Sequence, residues 1–383
     1  MLKQVEVIDA GQAVSVHWED GNSARFHAIW LRDNALDPET RAPGNGQRLI
    51  TVLDIPENTL LNGAWIDDQG DLALQFAPDD KKVSFPANWL AQHIYDTDVQ
   101  RSTGWTSSLS LSWDRTLGDA LPTIDFDTAA TNRASLCHWL ADIRRYGIAV
   151  MRGVECKEGS VCDVAELFGY VRETNYGRLF EVRSEVDPVN LAYTNMGLQA
   201  HTDNPYRDPV PTLQLLACLE NSVEGGESII VDGFHAADIL LKEAPADFDL
   251  LALYCTRFEF AGEASVKLQS RRPIIELAPD GELIGVRFNS RSAAAPVDIP
   301  YDQMTAWYAA YRRFAEIIER PELAISFKMM PGDLIVFDNT RTLHARTGFS
   351  GTGSRWLQGC YADKDALLSM LAAWEDQNAE AAE

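Results

Sequence analysis

Over residues 1–97 apolar and polar positions alternate in short runs. VEVIDA, AVSVHWED and ARFHAIWLRD carry the two-residue period of half-buried strands, and Asp20-Gly21-Asn22 supplies a hairpin turn. GAWIDDQGDLALQF repeats the pattern around a polar Asp-Gln-Gly-Asp turn, and KKVSFPANWL adds another strand. A stretch rich in Ser, Thr and Gly follows over 98–121 and reads as a linker. RASLCHWLADIRRYG then sets Leu136, Leu140 and Ile143 on one helical face and stops at Gly147. IAVMRGV reads as a buried strand and VCDVAELFGYV as a second helix. Further on come LAYTN, TLQLLACLE, SIIVDG, FEFAG, PIIELA, IGVRFN, SFKMMPGDLIVFDN and RWLQGCYAD, interrupted by the helix YDQMTAWYAAYRRFAEIIER. Many strands and few helices over 122–375 predict a mainly β, jelly-roll type of barrel with flanking helices. It follows a small β-rich N-terminal domain, and the tail 376–383 reads as frayed.

Composition narrows the function classes more than the fold. A hydrophobic content of 46% with 23% charged residues belongs to a soluble globular protein. The formal charge of −24 argues against nucleic acid and anionic membranes, which both select a basic face. No apolar run is long enough to span a bilayer, and the alternating N-terminus lacks a signal peptide's apolar core. Cytoplasmic residence is the expectation. The six cysteines are scattered without a paired motif, so neither a disulfide framework nor a cysteine zinc site is expected.

There are seven histidines. His17, His27, His93, His138 and His235 have no carboxylate or second histidine arranged beside them, and structural roles are expected. His201-Thr202-Asp203 differs, because residues two apart on extended backbone point to one side and can reach one ion. Such a pair is common by chance. Its weight comes from FDNTRTLHARTGFSGTGSRWLQGCYAD, which supplies His344 after a turn and Arg355 at the start of the next strand. Two imidazoles and one carboxylate on one face of iron leave positions open, the arrangement of non-heme Fe(II) oxygenases. Two open positions suit a 2-oxo acid and the third O2. Arg355 then suits the far carboxylate of 2-oxoglutarate, since a guanidinium grips a carboxylate through two parallel hydrogen bonds. A non-catalytic jelly roll holding a betaine or another metal is the competing reading, but a simple binder has no use for a 2-oxo-acid anchor. A halogenase of the same fold would replace Asp203 with a small residue.

At these residues the chain resembles the γ-butyrobetaine dioxygenase branch of the taurine-dioxygenase-like superfamily. The resemblance rests on WLRDN (30–34), HTDNPYRDPVPTLQLLACL (201–219), FDNTRTLHARTGF and RWLQGCYADKDAL. It implies a double-stranded β-helix with a small N-terminal domain, usually a homodimer. It also implies iron on His201, Asp203 and His344, with 2-oxoglutarate held by Arg355 and Ser228. The family's aromatic cage for a trimethylammonium group maps to Tyr176, Phe180, Tyr193 and Tyr361, in keeping with cation–π attraction. Its anion-binding positions map to Asn190 and Asn289. Many members also bind a structural zinc through cysteines just after WLRDN. Ala35, Asp37 and Thr40 stand there instead, so no structural zinc is expected.

The same region, RFNSRS, adds Arg287 and Arg291. Arginine suits a phosphate-like oxyanion, whereas asparagines alone can hold a carboxylate. The cage and anion-binding positions that the resemblance implies make a small quaternary-ammonium zwitterion the expected substrate. The resembled family includes a branch acting on 2-(trimethylammonio)ethylphosphonate, and the missing cysteines and the added cation tilt the reading to that compound, with γ-butyrobetaine as the alternative.

Overall fold

A computed structural model describes residues 1–97, 101–183, 197–263, 265–350 and 353–380. The chain divides into two compact units, Met1–Gln100 and Arg101–Glu383.

The first unit holds two antiparallel three-stranded sheets, Leu2–Ile8/Ala13–Trp18/Ser23–His27 and Leu60–Ile66/Leu72–Ala77/Lys82–Phe85. Alternate residues such as Val14, Val16, Phe26, Leu72, Leu74 and Phe76 form its core. ARFHAIWLRD is a strand only as far as His27, and Ala28–Asp33 is a helix. The two-residue period breaks there, and Ala28 and Leu31 are buried three positions apart, as on a helical face. Where relatives of the resemblance carry zinc cysteines, Ala35 and Thr40 are fully buried. Asp37 accepts hydrogen bonds from Thr40 Oγ1 at 2.8 Å and Lys81 Nζ at 2.8 Å. These contacts tie the loop to the strand hairpin.

The second unit begins with the segment read as a linker. Residues 101–121 belong to this unit, and they include a buried Trp113 and a 3-10 turn over Arg115–Ala120. Arg341 and Asp232 form a buried ion pair at 2.8 Å, and Arg341 also donates to Ser110 Oγ and the Leu111 carbonyl. The helix Arg133–Tyr146 is capped by Asn132, whose side chain accepts from Ser135 N–H, and ends on left-handed Gly147.

Two sheets make the jelly roll. One has the strand order Thr123–Asp125, Ile148–Arg152, Leu334–Asp338, Leu213–Asn221, Arg355–Ala362, Phe180–Val182. The other has Leu198–His201, Thr342–Arg346, Ser228–Asp232, Ile325–Phe327. Ile148, Val150, Leu216, Ile335 and Leu357 of the first sheet pack with Ile230 and Ile325 of the second. The outer face of the larger sheet is covered by the helices Arg133–Tyr146, Ser160–Glu166 and Lys364–Glu380. The outer face of the smaller sheet packs on Gly233–Glu243, Pro245–Leu253 and Met304–Ile318. The C-terminal helix runs to Glu380, well into the tail read as frayed.

Candidate active site

Cross-strand register brings the donors together. In the antiparallel pair Leu198–His201 and Thr342–Arg346, His201 stands directly opposite His344. Opposed residues on one face lie within side-chain contact, and the two imidazole centroids are 4.2 Å apart. Asp203 follows as the backbone leaves the strand. Its Oδ1 lies 3.3 Å from His201 Nε2 and 3.9 Å from His344 Nε2. Among the described residues, His201, Asp203 and His344 are the one group of three or more such side chains whose donor atoms could share an ion, all within 4.8 Å of one another.

The protonation states favour a cation between them. His201 Nδ1 lies 2.7 Å from the Gln199 carbonyl, which only accepts. Nδ1 therefore carries a proton, and Nε2 is the ring nitrogen that faces Asp203. Burial, and then the neighbouring His201, push His344 down to about 3, so it is neutral at pH 7. Burial alone would raise the Asp203 carboxyl, but the His201 hydrogen bond and the nearby His344, His201 and Arg291 outweigh it and hold the group well below the usual carboxylate range. Tyr361 donates its hydroxyl to Asp203 Oδ2 at 3.0 Å, which leaves Oδ1 for the two imidazoles. Two imidazole nitrogens and one carboxylate oxygen fit a divalent first-row metal with bonds of about 2 Å.

These donors line a cavity of about 350 Å³, within the range of small-molecule sites. Its walls follow strand alternation. On Arg355–Ala362, Arg355, Leu357 and Tyr361 face the cavity, while Cys360 and Ala362 join the outer core. Gly359 lies between them because a Cβ there would collide with the Phe180 ring. Phe180 accordingly lies flat against the strand and stacks on Tyr361 at 4.9 Å. Arg355 is buried, and among the described residues its Nε has no hydrogen-bond partner. Ser228, opposite Arg346 in register, lines the same space. Arg346 lines it too, and burial, then the charges of Arg355 and Arg291, pull Arg346 down to about 10. Arg291, Arg346 and Arg355 thus bring three guanidinium groups to a cavity whose walls also carry Asp203, Glu181 and Glu259.

The remaining candidates divide. Tyr176, Phe180, Tyr361, Asn289 and Arg291 line the cavity. Asn190 and Tyr193, with the strand read over LAYTN, lie outside the described residues. Asn289 is largely committed to the backbone, with Nδ2 donating to Thr202 O at 3.0 Å and Oδ1 accepting from the amides of Arg291 and Ser292. Arg287 does not line this cavity. It is buried on Glu276 at 2.8 Å and on the carbonyls of Pro205 and Arg207, where it braces the loop after Asp203. Two aromatic wall residues were not legible as such. Tyr206 bonds Tyr176 hydroxyl to hydroxyl at 2.9 Å, and Phe260 packs on both rings. Tyr206 lies inside the first motif and could have been found by its position; Phe260 sits on a separate strand with no motif around it.

A jelly roll with this donor set is that of a non-heme iron, 2-oxoglutarate-dependent dioxygenase. A family model described as taurine catabolism dioxygenase TauD, TfdA family matches residues 110–361, and one described as γ-butyrobetaine hydroxylase-like, N-terminal, matches 5–91. The chain belongs to the TauD/TfdA dioxygenase family. It is 34% identical to a γ-butyrobetaine dioxygenase of Pseudomonas sp. (strain AK-1) over 94% of this chain and 92% of the relative. It is 30% identical to the human γ-butyrobetaine dioxygenase over 97% and 96% of the two chains. A trimethyllysine dioxygenase of Meyerozyma guilliermondii is 32% identical over 94% and 93%. A solved asparagine oxygenase aligns with a TM-score of 0.48 at 17% identity, over 63% of this chain and 92% of the other. No helix among the described residues is long and apolar enough to cross a membrane.

Proposed function

We propose that the protein hydroxylates a small trimethylammonium zwitterion, with 2-(trimethylammonio)ethylphosphonate as the favoured substrate. In this reading His201, Asp203 and His344 hold Fe(II), while Arg355 and Ser228 hold 2-oxoglutarate. The metal with its co-substrate and O2 supplies the oxidising chemistry; the protein supplies geometry and charge. Tyr176, Phe180, Tyr206, Phe260 and Tyr361 offer ring faces to a quaternary ammonium. Burial raises the Tyr206 and Tyr361 hydroxyls far above the ordinary phenol range, so both stay neutral and donate, Tyr206 to Asn204 and Tyr361 to Asp203.

The observation that carries the phosphonate is Arg291. It is a cation on the cavity wall whose charge is felt at Asp203, His344 and Arg346. A phosphonate presents more charge and more acceptor oxygens to a guanidinium than a carboxylate does. γ-Butyrobetaine is the second reading, favoured by the names of the relatives at 34% and 30% identity. Succinate formation measured with both compounds side by side decides between them. Arg291→Gln is expected to lower kcat/KM for the phosphonate by about 10- to 150-fold, the worth of one charged hydrogen-bonding group, and to affect γ-butyrobetaine less. Equal losses on both, or higher turnover of γ-butyrobetaine by the wild type, would remove the phosphonate preference. Phe260→Leu is expected to raise the KM for either zwitterion about 2- to 30-fold, the range of a cation–π contact, and to leave the 2-oxoglutarate KM unchanged. The same reading has the enzyme act in the cytoplasm as a homodimer, which light scattering of the purified protein tests for the assembly.

A further inference from the structure

The two halves of the donor set come from distant parts of the sequence, and one side chain joins them. Asn339 lies in the turn between the strands Leu334–Asp338 and Thr342–Arg346, just before His344, and is 1% exposed. Its Oδ1 accepts from the Asp203 backbone N–H at 2.7 Å. Its Nδ2 donates to the Asp203 carbonyl at 2.9 Å and to the Pro211 carbonyl at 2.9 Å. Swapping the amide's oxygen and nitrogen would point N–H at N–H and oxygen at two carbonyls, so this network permits one orientation.

We propose that Asn339 is a positioning residue that sets Asp203 relative to His344. The proposal rests on the reading of His201, Asp203 and His344 as the metal ligands. Asp203 needs such a partner because the chain has left the strand Leu198–His201, where a ladder would satisfy its backbone. The next residue, Asn204, has φ +53°, a left-handed conformation that a non-glycine residue adopts at a cost. A backbone bent in this way holds one shape only if its polar groups are fixed by something else. The Asn339 amide grips both polar groups of the Asp203 peptide at once. It does so from the segment that carries His344, so movement of one ligand is tied to the other. Tyr361 fixes the far end of the same side chain. Asn339 does not line the cavity and acts through the Asp203 backbone.

The test compares Asn339→Ala and Asn339→Asp with the wild type in Co(II) affinity, Co(II) visible spectrum and metal-free denaturant stability. Asn339→Asp keeps the size and the acceptor but turns lone pairs toward both carbonyls, and it serves if the alanine variant does not fold. Co(II) affinity of the folded protein is expected to fall about 10- to 100-fold, the usual loss when a group orienting a ligand is removed. The Co(II) visible bands are expected to shift in position, which a loss of stability alone would not do. Co(II) affinity within three-fold of wild type with an unchanged spectrum overturns the positioning role, however much stability is lost. Wild-type protein that fails to bind Co(II) overturns the metal reading itself, and this proposal with it.

Discussion

His201→Ala and Asp203→Ala are each expected to remove substrate-dependent succinate formation, by at least about a thousand-fold. Groups that merely orient a metal ligand typically cost 10- to 100-fold when removed, and a ligand lost outright must cost more. Each variant leaves two donors where three converge within 4.8 Å. The Asp203 variant also removes the negative charge that faces the two imidazoles, which is the component that favours a cation over water. It leaves the buried Tyr361 hydroxyl without its acceptor as well, at about 1–3 kcal/mol of stability. Activity should therefore be read on protein whose fold has been checked by circular dichroism. His201→Ala spares Tyr361 and serves as the cleaner variant. Turnover near the wild-type rate in either would contradict the metal assignment.

Arg355→Ala is expected to raise the 2-oxoglutarate KM by between about 30-fold and a few thousand-fold. Truncating one partner of a buried, hydrogen-bonded charge pair costs about 2–5 kcal/mol, and each 1.4 kcal/mol is tenfold. Arg355 is buried, and among the described residues its Nε is without a hydrogen-bond partner, as expected of a cation awaiting an anionic ligand. Arg355→Lys keeps the charge but not the two parallel bonds, so its KM should fall between wild type and alanine. The KM for the zwitterionic substrate should change far less. A 2-oxoglutarate KM within three-fold of wild type in Arg355→Ala would assign the anchor elsewhere, with Arg346 the nearest candidate on the cavity wall.

Much of this site is legible in the linear sequence because its parts obey local rules. His201 and Asp203 are two apart at a strand end, and Arg355 and Tyr361 share one face of a strand by simple alternation. The RASLCHWLADIRRYG helix shows its cap, its apolar face and its terminal glycine. Other parts depend on tertiary partners that no local pattern reports. Phe260 reaches the cavity from the separate strand Thr256–Glu263. Arg287 and Arg291 are four residues apart with the same chemistry, yet one is spent on Glu276 and two carbonyls while the other faces the cavity. Asn339 looks like an ordinary turn asparagine until Asp203 is placed opposite it. Two helices escape the pattern for simpler reasons. Pro245–Leu253 spreads its apolar residues around the helix instead of along one face and shows no helical period, and Lys364–Glu380 ends in an Ala- and Glu-rich stretch that reads as solvent-exposed tail.

In the proposed function this cavity holds Fe(II) on His201, Asp203 and His344 together with 2-oxoglutarate on Arg355 and Ser228. Anaerobic titration of the Fe(II)-loaded protein with 2-oxoglutarate, followed in the visible spectrum, tests it most directly. A weak charge-transfer band that grows to saturation, is lost in His201→Ala and needs much more 2-oxoglutarate in Arg355→Ala is the expected result. No band in the wild-type protein at saturating Fe(II) and 2-oxoglutarate, or a band unchanged in His201→Ala, would contradict it.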